Sequence, residues 1–105
     1  MKSIMLIILL SLVAHHAWAT APIILSKVQK TDLNQEQCLQ QAEQALTQSG
    51  FSENLAKDQS AVWGMHGDNS GHIRCVIAQQ VVLFVVAGKL YDEAGDLFKQ
   101  LYSHF

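Results

Sequence analysis

Val81-Val82-Leu83-Phe84-Val85-Val86-Ala87-Gly88 is the stretch on which the fold turns. A continuous β-branched and aromatic run, closed by glycine, reads as a strand with apolar side chains on both of its faces. Side chains alternate along a strand, so Val82, Phe84 and Val86 point away from the face that carries Leu83. If helices lie on only one side of the sheet, the Val82, Phe84 and Val86 face needs another cover, either the N-terminal segment or a second subunit.

Upstream of that run the period is two. Ala61 to His66 and His72 to Ala78 are expected to pair around Gly67-Asp68-Asn69-Ser70-Gly71. In this register His66 faces His72, Met65 faces Ile73, Trp63 faces Cys75 and Ala61 faces Ile77. One face then carries Ala61, Trp63, Met65, Ile73, Cys75 and Ile77, with Trp63 packed beside the cysteine. The Gln79-Gln80 corner lacks the Gly or Asn that tight hairpin turns prefer, so it leaves the next register open.

Downstream, Tyr91, Ala94, Leu97, Phe98, Leu101, Tyr102 and Phe105 recur at helical spacing from Tyr91 to Phe105. Asp92 and Glu93 suit the start of that helix, where the macrodipole favours acids. A second helix is expected from about Leu33 to Ser49, with Leu33, Cys38, Leu39, Ala42, Ala45 and Leu46 on one side. Asp32 stands in capping-box register with Gln35, and Ser49-Gly50-Phe51 forms a glycine stop. Ser52 to Gln59 reads as a polar linker, and Ile23 to Gln29 as either a further strand or a loose terminus. The resulting order is (β)-α-β-β-β-α. It describes an α+β domain, an antiparallel three- to four-stranded meander covered on one face by two helices.

The first nineteen residues carry a different message. Met1-Lys2 is a charged start, Ile4 to Ala14 an apolar run, and Ala17-Trp18-Ala19 an A-x-A cleavage site. The apolar run falls short of the roughly 20 residues a membrane-spanning helix requires. Residues 1–19 are therefore expected to be a signal peptide, with residues 20–105 a single small domain that is periplasmic or secreted and leaves no membrane segment behind. That domain has six basic and nine acidic side chains, a net charge of −3. An α-β-β-β-α order also describes double-stranded RNA-binding domains, but the acidic balance and the lack of a basic cluster exclude nucleic acid as a partner.

Export determines how Cys38 and Cys75 are read. An oxidising compartment stores a thiol pair as a disulfide, and a spacing of 37 residues fits neither a C-x-x-C redox motif nor a cysteine metal site. A small domain with a limited core gains much from such a staple.

Two surfaces invite a functional reading. His66-Gly-Asp-Asn-Ser-Gly-His72 would bring two imidazoles and the Asp68 carboxylate together at a turn, ligands suited to Zn, Cu or Ni. The same residues are also what a plain polar turn uses, so no cofactor is assigned. Gln37, Gln41, Gln44 and Gln48 form an uncharged stripe on the first helix, which is either a solvated face or a docking face for a protein. Isolated Ser60, Ser70 and Ser103 make no triad, and Asp58, Asp68, Asp92 and Glu93 sit where solvated acids are expected. No catalytic residue is assigned, and the balance favours a binding module over an enzyme.

Cys38-x3-Ala42-x2-Ala45-Leu46-x3-Gly50-Phe51, Trp63-Gly64, Ile73-Arg74-Cys75 and the closing run to Gly88 resemble a family of small exported bacterial proteins of unknown function. The resemblance implies a secreted α+β domain with a Cys38 to Cys75 pair, and it carries no catalytic residues.

Overall fold

The computed structural model describes residues 21–105, and the expected signal peptide lies outside the described residues. Strands β1 (Ile23–Lys30), β2 (Glu53–Lys57), β3 (Ala61–His66), β4 (Asn69–Val76) and β5 (Val81–Gly88) form one antiparallel sheet in the order β1-β5-β4-β3-β2. Helices α1 (Gln35–Gln48) and α2 (Tyr91–His104) both contact this sheet and each other. The fold is α+β as expected, with five strands rather than three or four. The optional N-terminal strand forms as β1, which pairs with β5 from Ile23↔Gly88 to Lys30↔Val81. The extra strand is β2, which the sequence presents as a polar linker. Glu53, Asn54, Ala56 and Lys57 of this edge strand are exposed, so it carries no apolar alternation.

The cap of α1 lies two positions later than expected. Asn34, not Asp32, is the N-cap, and its Oδ1 accepts from Gln37 N–H at 2.8 Å while Gln37 Oε1 accepts from Asn34 N–H at 3.2 Å. Cys38, Ala42, Ala45 and Leu46 form the buried side of the helix, and Gly50 follows in a left-handed conformation, φ 87°.

The β3–β4 hairpin departs most from expectation. Its turn is the pair Gly67-Asp68, with Gly67 at φ 57°, the glycine-first position of a tight hairpin. His66 therefore pairs with Asn69, Met65 with Ser70, Gly64 with Gly71, Trp63 with His72, Val62 with Ile73 and Ala61 with Arg74. The shift against the expected pairing is odd, and an odd shift moves a strand's side chains to the opposite face. Trp63 and Met65 consequently leave the face that holds Cys75, and Val62 joins it.

The cause lies in the glycine pair. Phe51 is fully buried above Gly64 and Gly71, and a Cβ on Gly71 would stand 2.8 Å from the Phe51 ring, while one on Gly64 would run into the Phe51 carbonyl. The observed register sets the two glycines opposite each other beneath Phe51, Gly71 leaving room for its ring and Gly64 for its carbonyl. Packing of one large side chain outweighed the alternation that pairs Trp63 with Cys75.

The core lies between the sheet and the helices. Val62, Ile73, Cys75, Val82, Phe84 and Val86 from the strands meet Cys38, Ala42, Ala45, Leu46, Ala94, Leu97 and Leu101 from the helices. Phe84 meets Phe105 edge to face at 5.2 Å. Cys38 on α1 is bonded to Cys75 on β4 across a Cα–Cα distance of 6.1 Å, as expected. The corner before β5 is a short 3-10 turn, Ile77–Gln79, ending with Gln80 in a left-handed conformation at φ 56°.

Val82, Phe84 and Val86 need neither a second subunit nor the N-terminal segment as cover, because theirs is the face on which the helices lie. Among the described residues no helix lies over their half-buried alternates, Val81, Leu83, Val85 and Ala87.

Candidate functional site

The pairings assemble the open face of the sheet row by row. Ile24, Ala87, Ser70, Met65 and Glu53 form one row, Ser26, Val85, His72, Trp63 and Ala56 the next. Val28, Leu83, Arg74 and Ala61 form a third, and Lys30, Val81 and Val76 the last. Ile24 is 64% exposed, Val28 62% and Trp63 37%. Exposed aliphatic and aromatic side chains thus share this face with the half-buried Val81, Leu83, Val85 and Ala87.

A polar pair and its supports lie within this face. The Trp63 indole and the His72 imidazole stack with centroids 5.9 Å apart and planes 13° from parallel. Both rings stand on directly opposed residues of β3 and β4, so the strand register itself holds the stack. Burial is the first cause that holds the His72 imidazole below its ordinary pKa, with the Arg74 cation adding to it and the Asp58 carboxylate partly opposing.

Arg74 is anchored from the end of β3. Its Nη1 donates to Ser60 Oγ at 3.0 Å. Ser60 is in turn fixed by the Asp58 carboxylate, which accepts from Ser60 N–H at 2.8 Å and from Ala61 N–H at 2.8 Å. Those two backbone donors, Ser60 first, keep Asp58 below the usual carboxylate range. The Ser60 carbonyl also accepts from Cys75 N–H at 2.7 Å. The result is a half-buried guanidinium held in place beside a stacked aromatic pair and aliphatic Leu83 and Val85. Such a surface can take a flat or apolar group on the rings and side chains and an acceptor oxygen on the remaining guanidinium N–H groups.

The residues singled out from the sequence are dispersed. His66 lies by the first helix's end, where its Nδ1 donates to the Gly50 carbonyl at 3.0 Å. His72 belongs to the other face of the sheet, and Asp68 is an exposed turn residue 3.5 Å from Lys89 Nζ. The expected meeting of His66, Asp68 and His72 depended on the longer turn, and the two-residue turn removes it. Among the described residues no three His, Cys, Asp or Glu side chains are grouped to hold a metal ion.

The glutamine stripe is divided as well. Gln37 is engaged in the helix cap, Gln41 is half-buried, and Gln44 and Gln48 are exposed beside Gln40, Glu43 and Thr47. This surface has no aromatic or aliphatic anchor. Asn69, absent from the candidates, is buried and donates from Nδ2 to Glu93 Oε1 at 3.0 Å and to the His66 carbonyl at 3.3 Å, which ties the hairpin to α2. No helix among the described residues is long and apolar enough to cross a membrane.

The sequence reading expected an apolar face without a helix over it but assigned it to Val82, Phe84 and Val86, and an odd error in the β3–β4 register hid the Trp63–His72 pair. The available signal was the pairing of Gly64 and Gly71 about a Gly-Asp turn. Comparison with protein-family models, curated proteins and solved structures finds no match to this chain.

Proposed function

We propose that this chain is an exported, disulfide-stapled binding module that engages a protein or small ligand through the open face of its sheet, by contact rather than by catalysis. The observation that carries the reading is the row Val85-His72-Trp63, a stacked aromatic pair among aliphatic side chains over which no helix lies among the described residues. Tryptophan and arginine are the side chains on which interfaces most often depend, and here Trp63 and Arg74 share one face. Export is supported by the order of charged start, apolar run and A-x-A site in residues 1–19. A disulfide across the core is also at home in an oxidising compartment. Kinship with small exported bacterial proteins belongs to the same reading, on the motifs around Cys38, Gly50-Phe51, Trp63-Gly64 and Cys75.

The chain has two tryptophans, Trp18 and Trp63, so removal of the leader leaves Trp63 as a single fluorophore on the proposed surface. The test is affinity capture from periplasmic extract with wild type, Trp63→Ala and Gln44→Ala/Gln48→Ala proteins, followed by titration of each captured partner against Trp63 emission. A partner lost with Trp63→Ala and kept with the glutamine variant supports the sheet face. The opposite pattern overturns it and moves the interface to α1.

A further inference from the structure

The two edges of the sheet differ in a way that points to a partner. β2 is five residues long, is broken by a register shift between Glu53 and Ala56, and contains Asn54 at a positive φ of 53°. Bulges and short length are how proteins spoil an edge for further pairing. β1 has eight residues in unbroken register with β5.

The direction of its free backbone groups follows from the hydrogen bonding. Thr31 N–H donates to the Gln80 carbonyl at 2.9 Å, so in this antiparallel pair the odd-numbered residues turn their backbone groups inward to β5. Ile24, Ser26, Val28 and Lys30 therefore turn their N–H and C=O groups outward, and the same four residues place their side chains on the open face.

These outward residues are self-complementary about Ser26. If two copies of β1 pair antiparallel with Ser26 opposite its own counterpart, Ile24 falls opposite Val28 of the second copy and Val28 opposite Ile24. The two most exposed aliphatic residues of the sheet are thereby covered by each other. Lys27 falls opposite Leu25 and Lys30 opposite Pro22, so no lysine of β1 faces another. Lys27 is already folded back onto the Tyr102 ring, 4.0 Å from its centroid, which leaves the edge clear. Shifting the register by two residues would instead place Ile24 against Lys30 and lose the match. Pro22 has no N–H to offer, and by the two-fold symmetry it ends the pairing at both sides.

We infer that β1 is a dimerisation edge that takes a second copy of this chain, joining two sheets into one of ten strands by Ser26-centred antiparallel pairing. About six backbone hydrogen bonds would form across the two-fold axis. Helices lie on one side of the joined sheet, and the two open faces run together on the other. The inference deepens the binding reading by naming one partner, and its failure leaves the Trp63 surface untouched.

The test uses protein recovered from periplasmic expression of the full chain, with its N-terminus read by mass spectrometry. Sedimentation over roughly 1–500 µM, the range in which an interface this small should associate, should show the weight-average mass rising from one chain toward two. Ser26→Cys should give an intermolecular disulfide under mild oxidation, since directly paired residues stand about 5.5 Å apart. Val28→Cys should not, because its counterpart lies four residues along the partner strand. Ser26→Pro removes only an outward N–H, so the far-ultraviolet circular dichroism should persist while the dimer is lost. A strict monomer over the whole range, or one in which residues 1–20 protect Ser26 from hydrogen exchange, overturns the inference. A dimer that survives Ser26→Pro, or that cross-links through Val28→Cys, also overturns it. A monomer that still binds its captured partner through Trp63 defeats the dimer alone, whereas a Ser26-linked dimer without any Trp63-dependent partner defeats the earlier reading alone.

Discussion

The two faces of β5 are built from nearly the same amino acids and have opposite fates. Val82, Phe84 and Val86 are wholly inaccessible beneath the helices, while Leu83, Val85 and Ala87 alternate with them on the side that no helix among the described residues covers. Composition along the strand therefore says little about which side becomes core. The helix-facing residues contribute to stability by full burial, and the others, half-buried, contribute less.

The widest separation between the faces should come from Phe84→Ala and Leu83→Ala. The first removes a ring packed against Phe105 and should cost about 3–5 kcal/mol of unfolding free energy in urea titration. The second should cost less, about 1–2 kcal/mol, because Leu83 is only half-buried. Equal losses would break the comparison. Replacing Cys38 and Cys75 together by serine should cost about 2–5 kcal/mol, with the transition remaining cooperative. A pair whose removal leaves thermal unfolding unchanged would mean that helix packing alone secures the covered side. Gly71→Ala should follow at about 1–3 kcal/mol, since the added methyl drives the Phe51 ring out of place. A silent Gly71→Ala would undercut the explanation given for the β3–β4 register.

The smallest effect sharpens the description of the open face. Because burial depresses the His72 pKa, the unfolded chain takes up its proton near pH 6.5 before the folded chain does. The His72 contribution to stability is then present in full above pH 6.5 and is lost as pH falls toward the lower folded value. Trp63 emission should titrate with a midpoint below 6.5, and His72→Gln should flatten both that titration and the pH dependence of stability below 6.5. A midpoint at or above 6.5 would mean that the imidazole is well solvated and the face less apolar than its pairings suggest.

Much of the fold was legible because its signals are local. The α1 cysteine, alanine and leucine spacing, the glycine after α1, the uninterrupted β5 run and the α2 periodicity each refer to one element and survive whatever the others do. The disulfide was legible for a different reason, since two cysteines allow one intramolecular pairing. What was not legible is relational. Trp63 and His72 become neighbours only through a register fixed by Phe51, a residue ten positions or more from either, and β2 exists only because a polar segment finds an edge to pair with. The His66, Asp68 and His72 group was a consequence of turn length, and a two-residue turn at Gly67-Asp68 placed the imidazoles on opposite sides of the sheet.

The pairing of β1 with β5 has a temporal side. Synthesis runs from the N-terminus, so β1 is the first strand of the sheet to be made, yet its hydrogen-bonding neighbour ends at Gly88, after every other strand. Loop closure over this span has to precede any reward from the contact, which places the step late in folding. The segment from Ile23 to Lys30 therefore gains its hydrogen-bonding neighbour only after the chain through Gly88 is present.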